Sequence, residues 1–176
     1  MRLKSIFLMC LMFMQCSCSD KALVSINSSV LSDKEQIQIE ELHMSVEGKE
    51  EKQEVKPERP SGYYEYYEKH DGYHYYVLYG EAGYDGNELQ SDVITIVGKN
   101  DKNEYDGIMV FSDKNKSRFI KTVNKNEKYD FFIIFLMKDG DMNIDVVDFY
   151  YNEEFSNKKD TTFDFRLRLL LDDEHH

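Results

Sequence analysis

Phe163-Asp164-Phe165-Arg166-Leu167-Arg168-Leu169-Leu170-Leu171 is the stretch on which the fold turns. Phe163, Phe165, Leu167 and Leu169 fall on one parity, and Asp164, Arg166 and Arg168 on the other. A period of two with charge on alternate positions is the pattern of a half-buried strand, one face on a core and one in water. A helix would instead bring Phe163, Arg166 and Leu167 onto one face.

Working back toward the N-terminus, aromatic and β-branched runs recur about every ten residues: 144–150, 129–137, 119–123, 105–111, 93–97, 73–79 and 63–67. Turn chemistry separates them, as in Asp71-Gly72, Asp85-Gly86-Asn87 and Asp139-Gly140. Evenly spaced short strands without a helical period predict an all-β, immunoglobulin-like antiparallel β-sandwich rather than βαβ units. Within it, Phe131-Phe132-Ile133-Ile134-Phe135-Leu136 is apolar on both parities. That run predicts a central strand covered on one side by the opposing sheet and on the other by a loop or linker.

The N-terminal end reads differently. Arg2 and Lys4 precede an apolar run ending at Met14, the size of a signal-peptide core and too short to span a bilayer. Cys10, Cys16 and Cys18, the only cysteines, lie in this leader or at its edge, so the mature body has no internal disulfide. The leader resembles that of a bacterial lipoprotein, whose cleaved chain begins at a lipidated cysteine. Ser17 before Cys18 suits that reading, and Cys16 is the alternative attachment point. The expected order is therefore a lipoprotein-type signal peptide at 1–17, a Ser/Asn-rich tether at 18–34 and the sandwich domain at 35–172. A charged loop at 47–60 lies within that domain, and a polar tail follows at 173–176. The expected location is the outer face of the cell membrane, or secretion if no lipid is attached.

The formal net charge of −12 falls to −14 once Arg2 and Lys4 leave with the leader. Nucleic acid is excluded as an expected partner, because phosphate binding needs a basic footprint.

Three motifs then follow in order: Gly62-Tyr63-Tyr64-Glu65-Tyr66-Tyr67, Asp71-Gly72-x-x-Tyr75-x-Val77-Leu78-x-Gly80, and Lys102-x-Glu104-Tyr105-x-Gly107. Together they resemble an uncharacterised immunoglobulin-like domain family of exported lipoproteins from Gram-positive anaerobic bacteria. The resemblance implies a sandwich and a surface address, and no reaction.

Among candidate sites, Tyr63, Tyr64, Tyr66 and Tyr67 offer flat apolar faces with hydroxyls, a strip suited to a protein or glycan ligand. Strand alternation would send about half of the wider tyrosine cluster inward as core. Asp139, Asp141, Asn143 and Asp145 echo the first half of a calcium loop, but Ile144 stands where glycine is needed and Tyr150 where a bidentate Glu is needed. The histidines lack metal-ligand spacing, and no nucleophile motif or phosphate loop occurs. The expectation is a noncatalytic binding module without metal or cofactor. The rival is a secreted hydrolase or inhibitor with a loop-built site.

Overall fold

The apolar run 131–136 sits near the centre of the sheet and contributes buried side chains to both of its faces, with Leu136 alone in the run exposed. The computed structural model describes residues 22–60, 66–141, 143–155 and 161–171. Its strands are β1 (Val24–Ser32), β2 (Ile37–Ile39), β3 (Leu42–Lys52), β4 (Tyr73–Tyr84), β5 (Glu88–Gln90), β6 (Thr95–Lys99), β7 (Glu104–Ser112), β8 (Phe119–Ile120), β9 (Thr122–Asn124), β10 (Lys128–Lys138), β11 (Val146–Tyr151) and β12 (Thr162–Leu170). One path of hydrogen-bonded strands runs β1-β12-β11-β6-β7-β10-β4-β3-β2, with β8 on β7 and a separate β5-β9 pair.

The path curls so that its two ends enclose one core. Ile37, Ile39, Leu42 and Met44 from β2 and β3 share a buried cluster with Val147, Phe149, Leu167 and Leu169 from β11 and β12. From β10, Phe131, Ile133, Phe135 and Met137 fill its middle. Curling is helped by two glycines beneath the Phe135 ring. A Cβ at Gly107 or Gly98 would stand 2.6 or 2.8 Å from that ring. Only a residue without a side chain permits so close an approach.

On the opposite face of β10, Phe132 and Ile134 pack with Tyr75, Val77, Val110, Phe119 and Val55 in a second cluster. The cover there is the segment following β3, as the double-sided pattern requires. Val55 and Tyr67 exchange backbone hydrogen bonds at 2.9 Å, and the Tyr75 hydroxyl donates to the Glu68 carbonyl at 2.7 Å.

Four expectations need correction. The tether at 18–34 is a strand from Val24 to Ser32, and β1 pairs with β12 in parallel, so the sandwich is not purely antiparallel. Serine and asparagine suggested a flexible tether, but Val24, Ile26 and Val30 alternate between them. The open edge of β12 supplies hydrogen-bond partners that composition alone does not reveal. The first part of the charged loop 47–60 is likewise strand, because β3 runs beside β4 to Lys52 with a bulge between Val46 and Gly48. Its charges reach water or one another, as Lys52 and Glu50 do. Of the expected strand at 63–67 only Tyr66 and Tyr67 are described, Tyr67 in a single bridge to Val55, and the rest lies outside the described residues.

The fourth concerns the stretch 163–171. Leu167 and Leu169 enter the main core, but Phe163 joins Val97 and Tyr150 in a separate cluster. The strand neighbours of those two, Ile96 and Phe149, face the main core, so Phe163 lies on the other side of the sheet. The β11–β12 ladder ends at Tyr151↔Phe165, and Asn152 and Glu153 then bond to Asp164, breaking the alternation there. Phe165 is half-buried, stacked on Tyr151 at 5.4 Å.

Candidate functional site

Strand registers set the outer face of the β1-β12-β11-β6-β7 half. Pairing puts Val30, Arg168, Asp148, Val97 and Asp106 in one row across five strands. Beside it, Leu170, Val146, Lys99 and Glu104 form the next row. Alternation therefore gathers acids and bases from four strands, the β6–β7 hairpin together with the more distant β11 and β12.

At the centre is Asp148, whose side chain is 0% exposed. Arg168 grips it with Nε on Oδ1 at 2.7 Å and a terminal amino group on Oδ2 at 2.8 Å. Lys99 Nζ approaches the same carboxylate at 3.6 Å and donates to Glu104 at 2.6 Å. Burial works against the charge on Lys99. The Glu104 hydrogen bond and the charges of Tyr150, Glu104 and Asp148 outweigh it and raise its pKa above the usual lysine value. A fully paired buried carboxylate of this kind fixes side-chain positions around it.

Next to this chain of charges is a groove of about 510 Å³ lined by Ala22, Leu23, Thr95, Val97, Lys99, Glu104, Asp106 and Tyr150. Val97, Tyr150 and Leu23 belong to the small apolar cluster around Phe163 and give the groove an apolar wall. Glu104 and Asp106 are exposed acids on it, and Asp106 has no bonded partner among the described residues. The groove is a largely strand-built surface with apolar, hydroxyl and acidic groups side by side.

The sites expected from sequence lie elsewhere. Cys16, Cys18, Tyr63 and Tyr64 are outside the described residues. Tyr66 and Tyr67 are half-buried. Tyr67 packs edge-on to Tyr75 at 6.0 Å and against Phe119 at 6.3 Å, as part of the cover over the second core. Tyr75, Tyr76 and Tyr84 are buried.

The acidic loop is also engaged. Asp141 accepts a hydrogen bond from the Tyr105 hydroxyl at 2.9 Å, Asp139 lies 3.4 Å from His74, and Ile144 is buried in the main core. Gly140, at φ +89, makes the turn. Met142 is outside the described set. Among the described residues, no three His, Cys, Asp or Glu side chains come together as metal ligands.

Sequence reading missed the groove because its members are scattered over β6, β7 and β11. The available signal was the lone acid in Val146-Val147-Asp148-Phe149, an apolar strand that must neutralise it.

No family model matches the chain, and no curated protein matches it. Among solved structures it is similar to an uncharacterised β-sandwich protein from Clostridium difficile 630, with a TM-score of 0.57 and 16% identity over 84% of this chain and 95% of that one. It also aligns with the secreted protein MPT63 of Mycobacterium tuberculosis, at a TM-score of 0.44 and 10% identity over 81% of this chain and 98% of that one. The first likeness shows the fold, an all-β sandwich.

Proposed function

We propose that this chain is an exported, noncatalytic binding module, held on the outer face of the cell membrane by a lipid on Cys18 and presenting the groove to a protein or glycan ligand. The observation that carries the reading is the groove itself, whose apolar wall and acidic rim are set by strand register and by the Asp148–Arg168 pair. Binding favours such preformed surfaces, because little side-chain freedom is lost when the ligand arrives. Asp106, without a bonded partner among the described residues, and the paired Glu104 favour a ligand segment carrying an amine or guanidinium, or one rich in hydroxyls.

Peptide and glycan arrays probed with the purified chain test this. Binding is expected to weaken with salt, with Asp106→Asn and with Thr95→Arg, while thermal melts show both variants folded. A ligand whose binding is indifferent to both substitutions would end the groove reading. Intact-mass spectrometry of membrane-extracted protein tests the anchor, with an acylated N-terminal Cys18 expected. An unmodified chain starting beyond Cys18 would refute it.

A further inference from the structure

Among the described residues six large apolar side chains are exposed, and apart from Ile108 and Leu136 they stand on two neighbouring strands. Among the described residues Val24, Ile26 and Val30, at 54%, 71% and 57% exposure, stand on β1, and Leu170 stands on the neighbouring β12. Val24, Ile26 and Val30 share one parity and hence one face of the strand. The parallel register sets Arg166 and Arg168 beside that face, opposite Ser28 and Val30. Arg166 has no acid partner among the described residues.

β1 is also the end of the sheet path, with no strand on its outer edge among the described residues. Exposed edges are normally blunted by charge. This one is not, since Val24–Ser32 contains no charged residue in a chain where Asp and Glu number 34.

We infer that the β1 face, with Arg166 beside it, rests on the lipid bilayer. The inference builds on the Cys18 anchor and names the surface that the anchored domain turns toward the membrane. Chain geometry supports it. Only Ser19, Asp20 and Lys21 separate Cys18 from Ala22, a reach of at most about 14 Å. An acyl group on Cys18 therefore holds the start of β1 near the headgroups. The charge distribution orients the rest, because residues 21–32 carry one lysine and no carboxylate, while the body is strongly acidic. Apolar side chains with adjacent cations suit the headgroup boundary. The groove acids Glu104 and Asp106, although on the same sheet face, stand on β7 four strands from β1, so that only the β1 edge of that face rests on lipid.

The chain has no tryptophan, so a single introduced one reports its own surroundings. The acylated full-length protein carrying Ile26→Trp is reconstituted on vesicles of equal parts phosphatidylcholine and phosphatidylglycerol, with the phosphatidylcholine brominated along its acyl chains. Leu136→Trp on β10 is the comparison, an exposed position five strands along the sheet path from β1. Expected are a blue shift and loss of most of the emission at position 26, with position 136 unchanged. Equal emission from the two variants on vesicles that retain the protein would overturn the docking and leave the anchor standing. A blue shift at position 26 that appears without lipid and grows with protein concentration would also overturn it, since a second copy of the chain would then cover β1. If mass spectrometry finds no acyl group, the anchor reading fails separately. Docking is then judged by the same quenching at high lipid, whose absence refutes it.

Discussion

The outer face of the sheet has two halves that share one backbone pattern and reach opposite ends. Over β4, β10 and β7 the outward residues are Tyr75, Val77, Val110 and Ile134, and the segment after β3 covers them. Over β11, β6 and β12 they are Asp148, Lys99 and Arg168, paired with one another beside an open groove. Strand alternation sets which side a residue faces, and side-chain chemistry then decides whether that side is roofed by chain or by its own ion pairs.

Substitution at the centre of the open half gives the largest expected effect. Asp148→Ala leaves Arg168 and Lys99 facing each other without their shared acid, and is expected to cost about 3 to 5 kcal/mol in denaturant melts. Replacing Asp148 and Arg168 together by Leu is expected to recover much of that loss, because similar buried pairs are often replaced without penalty. If the double variant is as unstable as the single one, the pair is not the roof of this half.

In the covered half the corresponding test is Ile134→Ala, expected to cost about 2 to 5 kcal/mol through a cavity under the Val55–Tyr67 cover. Limited proteolysis of the same variant should show earlier cleavage near Tyr67, because the cover loses an apolar partner. Unchanged cleavage with unchanged stability would show that the cover does not depend on this cluster.

The sequence made the covered half legible and left the open half obscure. Phe131 to Leu136 is apolar on both parities, so a cover on each side follows from burial alone. The groove depends on registers between strands apart in the chain, such as Val97↔Asp148 and Asp148↔Arg168, and no local pattern encodes those. The first strand escaped for a related reason. Its Ser/Asn content reads as a linker until the unpaired edge of β12 is placed beside it. The tyrosine strip illustrates the converse, because Tyr67 has the composition of a binding surface and the position of a core cover.

A smaller effect tests where the terminal stretch changes sides. Phe165 stacks on Tyr151 with ring centroids 5.4 Å apart and planes 15° off parallel, and it is only half-buried. A double-mutant cycle with Phe165→Leu and Tyr151→Leu is expected to give a coupling of about 0.5 to 1.5 kcal/mol. A coupling near zero would mean that each ring is held by other neighbours.

The smallest effect expected is the acid sensitivity of the clasps beside the covered half. Hydrogen bonds from Lys114 and from the Tyr129 hydroxyl, both at 2.6 Å, lower the pKa of Glu127. At Asp113 burial opposes ionisation, but the backbone N–H groups of Arg118 and Ser117 and the Ser117 hydroxyl outweigh it, and the carboxyl again lies below its usual value. The sign follows from proton uptake. Between the depressed folded value and the ordinary one, the unfolded chain binds more protons, so acidification favours unfolding there. The contribution is present above the ordinary carboxylate range and is lost as pH falls through the depressed values. Both groups face solvent, which screens the effect, so a modest steepening of the acid limb is expected. Denaturant midpoints measured from neutral to strongly acidic pH should fall more gently in an Asp113→Asn, Glu127→Gln variant than in the parent. Identical acid limbs would show that these clasps add nothing to the covered half, whose stability would then rest on apolar packing alone.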